Sequence, residues 1–216
     1  MKKHDVKEEI KGFQDEVARF VANRLFQLKN SSNESNVRAT LARLRRGLGK
    51  APGELPELWD FTLEDLPEVL LSQTEEPTYG EWAIHVALSL FAYHQQGKDL
   101  NSQYMHQDSG ETQHSIGTAC CTLKARKEED AVKRRFNILA TSDSFTELVH
   151  HLRSLIGLLK SEDIPLDYVL LAKELYFFQF PQWRNALRLR WGQDFYAFKE
   201  EGALEDNDNN SDTVSV

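Results

Sequence analysis

The sequence predicts an all-α protein, a helical bundle built from two small helical subdomains. Two observations lead there. Apolar residues recur at spacings of three and four along most of the 216-residue chain, and nothing alternates with period two for long enough to pair as a strand. With 40% hydrophobic residues the chain can bury a sizeable core.

The elements follow in order. Val6, Ile10, Phe13, Val17, Phe20 or Val21, and Leu28 mark one amphipathic helix over residues 5–29. The polar run NSSNESN (30–36) breaks it, and Ser35 or Asn36 is the expected cap of a short helix over 37–47 that stops at Gly47 and Gly49. APGELPELWDFTLEDLPE holds three of the six prolines and reads as an irregular packed connection with short helical turns. GEWAIHVALSLFAYHQQ (80–96) is apolar on nearly all sides, as a central bundle helix is.

The polar segment 97–117 lacks periodicity and reads as a linker or mobile loop. Helices are then expected at 117–126, 128–141, 144–160, 165–180 and 182–198. The expected organisation is an N-terminal helical subdomain (1–100), a loop or linker (101–116), a C-terminal helical bundle (117–200) and an acidic disordered tail (201–216).

Charge is unevenly distributed. The formal net charge is -8, yet from Glu200 onward there are six acids and no Lys or Arg. Removing those six from the 34 acids leaves 28 against 26 basic residues, so the remainder is nearly neutral. A basic face there keeps its local potential, because salt screens exposed charges beyond about 8 Å.

Several function classes find no support. No run approaches the roughly 18 apolar residues of a membrane span, and MKKHDVKEEIKGF carries charge where a signal peptide is apolar, so a cytoplasmic protein is expected. Cys120 and Cys121 are adjacent and read as small core residues. No phosphate loop, dinucleotide turn, HExxH pair or nucleophile elbow occurs. Of the seven histidines, His150 and His151 are helical neighbours pointing about 100° apart, a poor arrangement for sharing an ion. No catalytic residue, metal or cofactor is therefore assigned.

The candidate site is basic. In RATLARLRRGLGK (38–50), Val37, Leu41, Leu44 and Leu48 fall within about 60° on a helical wheel, while Arg38, Arg43, Arg45 and Arg46 fan over the opposite ~160°. Solvated helix faces usually mix signs, but no acid lies within four residues of Arg43, Arg45 or Arg46, which favours phosphate binding. Ala39 and Ala42 lie between the arginines and leave room for a phosphate backbone.

A second cluster, KARKEEDAVKRRF (124–136), offers Arg126, Arg134 and Arg135. Glu129 can pair there with Lys133, and Asp130 with Arg134. Arg153 flanks the apolar stripe of 145–159, with His150 one turn away on the same exposed side. Arg184, Arg188 and Arg190 lie among Trp183, Trp191, Phe195 and Tyr196. They read as structural, with guanidinium stems over rings and Arg190 within reach of Asp194.

The order of motifs LARLRRG, GELPELWDF, EWAIHVALSLFAYH, SIGTACCTL, VKRRFNILATSDSFTELVHHLRSLIGLLK and ALRLRWGQDFY resembles the CasB family, the small subunit of Cascade, the type I-E CRISPR surveillance complex. The likeness runs from about residue 37 to 198. It implies a non-enzymatic helical subunit that dimerises inside Cascade along the subunits holding the guide RNA, with a basic surface stabilising opened target DNA, chiefly the displaced strand. The positions matching that surface are Arg45, Arg46, Arg134, Arg135 and Arg153. Arg38, Arg43 and Arg126 join the candidate track on their charge alone. The alternative is a helical adaptor whose arginine face binds acidic protein partners.

Overall fold

The computed structural model describes residues 3–108 and 114–197, and the acidic tail expected over 201–216 lies outside them. Nine α-helices are present among the described residues: α1 (Lys3–Asn30), α2 (Glu34–Arg46), α3 (Trp59–Thr62), α4 (Tyr79–His94), α5 (Ile116–Arg126), α6 (Glu129–Ala140), α7 (Phe145–Ser161), α8 (Tyr168–Phe178) and α9 (Pro181–Ala197). Extended pairing among these residues is confined to an isolated bridge, His106 with Leu166. The all-α expectation holds.

The central apolar helix is α4, which packs against α1, α2, α7 and α8. Residues from Ala83 to Ala92 are buried on every side, as the unbroken hydrophobicity of the segment requires. Its start is fixed by a capping box: Thr78 Oγ1 accepts from the Glu81 amide while the Glu81 carboxylate accepts from the Thr78 amide. Around α4, Val17, Val21 and Leu25 of α1, Leu41 and Leu44 of α2, Leu152 and Ile156 of α7, and Leu171 and Leu175 of α8 join one continuous core. Helices α5 and α9 pack closely, and Phe136 of α6 stacks on Phe195 of α9 at 4.2 Å between ring centroids.

Two boundaries differ from expectation. Helix α2 begins at Glu34 rather than at 37, capped by Asn33 and not by Ser35 or Asn36; Asn33 Oδ1 accepts the Asn36 amide at 3.0 Å. The extra turn places Glu34 near the positive end of the helix dipole and one turn before Arg38. After α4, residues 97–108 are irregular as expected, yet anchored: Gln95 holds the Met105 amide and the Gln103 carbonyl, and Met105 is buried.

Candidate nucleic-acid interface

The position of α2 sets the site. Its C-terminus ends against α4, where His85 Nε2 bonds the Gly47 carbonyl at 2.9 Å. Burial holds the His85 imidazole below its ordinary pKa, so this bond is made by a neutral ring donating N–H. Gly47 has ordinary helical backbone angles, and its need is for space. A Cβ there would meet Leu58 Cδ1 and Ser89 Oγ at 2.9 Å and His85 Cε1 at 3.0 Å. Gly47→Ala should therefore cost about 1–2 kcal/mol and lower the melting temperature by about 5 °C, measured by thermal unfolding.

The arginines of α2 meet carboxylates that local sequence does not supply. Arg38 pairs with Glu34 at 2.8 Å, on a solvated face. Arg43 donates to Asp60 Oδ2 and the Glu57 carbonyl, both at 3.0 Å, and to Thr40 Oγ1 at 3.1 Å. Arg46 lies 3.2 Å from Glu57. The acids come from the short helical turn before α3 and from α3 itself, 11 to 17 residues downstream, so the absence of acids within four residues did not mean absence of partners. With three acceptors, Arg43 fastens α2 to residues 57–60.

Arg45 differs. It makes no ion pair or hydrogen bond with the protein among the described residues, and it lines a cleft of about 510 Å³ whose charged residues are the bases Lys29, Arg38 and Lys98 and the acids Glu34 and Asp99. Across that surface stands Lys160 of α7. Burial first, and then the like charges of Arg45 and Lys98, hold the Lys160 ammonium below its ordinary pKa. Cations from α2, from the turn after α4 and from α7 thus stand within electrostatic reach of one another. Such mutual repulsion favours an anion between them. Beneath them, burial and the charges of Lys98 and Lys160 pull the His94 pKa down to about 3, so this imidazole adds no charge.

The strip continues along α7. Arg153 and Lys160 are seven residues apart, hence on one face of the helix. Both lie over the ring of Tyr93, at 5.8 and 5.2 Å from its centroid. Lys160 also donates to Gln96 Oε1 at 3.1 Å, and Lys98 pairs with Asp163. Of the predicted residues, Arg45 lies within electrostatic reach of Lys160, and Arg153 shares the Tyr93 ring with that lysine. Lys98, Lys160 and the scaffold residue Tyr93 were not among the predicted residues; the seven-residue spacing from Arg153 was the available signal for Lys160, and nothing in the sequence marked the other two.

On α6, Arg134 and Arg135 are exposed. The expected pairs Glu129–Lys133 and Asp130–Arg134 are not formed within 4.0 Å. Glu129 lies instead 4.0 Å from Lys124 of α5, and Lys133 lies over the Tyr196 ring at 5.9 Å. Arg135 donates to the Ala131 carbonyl of its own helix at 3.4 Å, and Arg126 to the Glu162 carbonyl at 2.9 Å. Arg134 lines a shallow hollow with Asp130, Lys133 and Asn137 that shares no residue with the Arg45 cleft, whereas Arg126 reaches Glu162, the neighbour of the Lys98 partner Asp163.

In the α9 cluster, Arg184 and Arg188 make structural contacts. Arg184 lies 4.9 Å over Phe178 and donates to the Phe178 and Asp143 carbonyls. Arg188 donates to the Ser142 carbonyl at 2.7 Å. The expected Arg190–Asp194 pair is not formed; Asp194 accepts from Ser115 Oγ at 2.6 Å and holds the start of α5. Neither Cys120 nor Cys121 is in a disulfide; Cys120 is a buried core residue as expected, while Cys121 is only half-buried. No helix among the described residues is long and apolar enough to cross a membrane.

The family model for CRISPR-associated protein Cse2 matches residues 40–196. The chain belongs to the Cse2 family. This is the same family as the CasB proteins that its motifs resemble. The crystal structure of CasB from Thermobifida fusca is 32% identical, with a TM-score of 0.67 over 83% of this chain and 97% of that one. CasB from Thermus thermophilus (20% identity, TM-score 0.61, 84% and 98% covered) and M. ruber CasB (21%, 0.57, 82% and 93%) share the fold. No match is found among curated protein sequences.

Proposed function

We propose that this Cse2-family chain is a non-catalytic small subunit of type I-E Cascade. In this reading its basic surface holds the backbone of target DNA opened by the guide RNA, chiefly the displaced strand. Arg45, Lys98, Lys160 and Arg153 form the main track, and Arg134 and Arg135 form a second contact. Arg38, Arg46 and Arg126 flank these; their exposed ion pairs and carbonyl contacts are worth only about 0–1 kcal/mol and can be exchanged for phosphate. Partners are the other Cascade subunits, guide RNA and target DNA, with self-association as a dimer inside the complex.

The observation that carries this reading is the unpaired Arg45 guanidinium held near Lys160 and Lys98 across three elements. Lys98 is already paired with Asp163 and Arg38 with Glu34, so it is Arg45, without an ion pair, and Lys160, held by an amide oxygen and a ring, that leave positive charge for an added anion. The role also fits the energetics of RNA-guided opening. The heteroduplex formed is about as stable as the duplex it replaces, so a modest sequence-independent hold on one strand tips the balance.

The test is the salt dependence of binding to a labelled single-stranded oligonucleotide. Each phosphate contact contributes about -0.7 to the log-log slope. The double substitution Arg45→Ala with Lys160→Ala should weaken binding about tenfold and reduce the slope by about 1.4. Unchanged affinity at moderate salt would refute the track. Binding to acidic peptides with none to DNA would instead establish the adaptor reading, and dependence on base sequence would point to a regulator.

A further inference from the structure

We propose that Tyr93 and Gly157 form a positioning device for the basic track: Gly157 leaves the gap that admits the Tyr93 ring, and the ring holds Arg153 and Lys160 in binding geometry. This rests on the reading of that track as a nucleic-acid contact.

Tyr93 lies near the end of α4 and packs half-buried against α7. Its hydroxyl points at Gly157, where a Cβ would stand only 2.9 Å from the Tyr93 Oη. Gly157 lies between Arg153 and Lys160, four residues after the first and three before the second, so all three share one face of α7. A glycine in mid-helix costs roughly 0.5–1 kcal/mol relative to alanine. The space it opens here is occupied by the tyrosine.

Both cations gain from the ring. Arg153 is otherwise an exposed, flexible side chain, and the ring face gives it a preferred orientation. Lys160 is held from two sides, by the ring and by Gln96 Oε1. Ordering these side chains in the free protein lowers the entropy cost when phosphate arrives. The Tyr93 hydroxyl makes no hydrogen bond to the described protein groups, so the ring alone supplies this effect.

The two contributions can be separated by substitution in the full chain. Gly157→Ala should preserve or slightly raise the melting temperature, since alanine favours the helix. Its methyl group displaces the ring, so affinity for a single-stranded oligonucleotide should fall by up to about tenfold with a shallower salt slope. Tyr93→Phe should bind like the parent. Combining Tyr93→Phe with Gly157→Ala should restore binding, because the methyl group takes the space left by the hydroxyl. Tyr93→Leu should not be rescued.

Unchanged binding by Gly157→Ala, or failure of Tyr93→Phe to rescue it while the parent chain binds, would overturn the inference. A parent chain that binds no oligonucleotide would overturn the interface reading itself, and this inference with it.

Discussion

Gly117→Ala should be the most damaging of the glycine-to-alanine substitutions, lowering stability by about 3 kcal/mol and the melting temperature by about 6–12 °C. Gly117 lies in the first turn of α5, where that helix meets α9. A Cβ there would stand 2.5 Å from the Trp191 carbonyl oxygen, 2.6 Å from Asp194 Cβ and 3.1 Å from the Phe195 amide. Two of the three are backbone atoms, which cannot turn aside as a side-chain tip can. Relief requires α5 and α9 to separate. That movement would break the Ser115–Asp194 bond and loosen the packing of Trp191 and Phe195, both fully buried.

Gly192→Ala is the control. That residue lies in the same α9 with nothing within 4 Å of its would-be Cβ, so the substitution should stabilise by a few tenths to about 1 kcal/mol. Thermal unfolding followed by tryptophan emission reads both. Equal behaviour of the two variants would mean that α5 and α9 are not in intimate contact.

The fold was legible wherever a helix carries its own period. Val37, Leu41 and Leu44 are buried as their spacing required, as are Leu148, Leu152, Leu155, Ile156 and Leu159 on α7. The site was legible only in part, because electrostatic partners are chosen by tertiary proximity. Glu57 and Asp60 reach Arg46 and Arg43 through an irregular turn whose path has no sequence period. Tyr93 and Gly157 are 64 residues apart, and only the packing of α4 on α7 brings them together. Gly157 had no visible reason in sequence, since a glycine in an amphipathic helix looks the same whether it is tolerated or required.

Glu174 carried a signal of its own. In YVLLAKELYFF it is an acid that shares an otherwise apolar helix only with Lys173. Such a group is either exposed on one face or buried at a cost. Here it is buried, 3% exposed, with neither carboxylate oxygen hydrogen-bonded.

Glu174→Gln should accordingly raise the melting temperature by up to about 10 °C at pH 8.5, with little effect at pH 4.5 to 5. Burial raises the Glu174 pKa from 4.5 to about 8. The Trp191 indole and Arg190 oppose that shift, while Asp194 and Asp167 add to it. The indole N–H faces the carboxyl without closing a hydrogen bond of ordinary geometry, so desolvation dominates.

The sign follows from proton counting. Between pH 4.5 and about 8 the folded chain keeps this proton and the unfolded chain has released it, so raising the pH favours unfolding. The group's contribution is fully present below pH 4.5, falls through the window and is flat above it. Its whole span is on the order of 4 kcal/mol. Glutamine carries no proton to lose and keeps an oxygen to face the Trp191 N–H, so the variant escapes the decline. The check is a pair of melting curves for parent and variant across pH 4.5 to 8.5. Parallel pH profiles would show that water already reaches Glu174 in the folded state, and that the contact between α8 and α9 is looser than the burial of Trp191 implies.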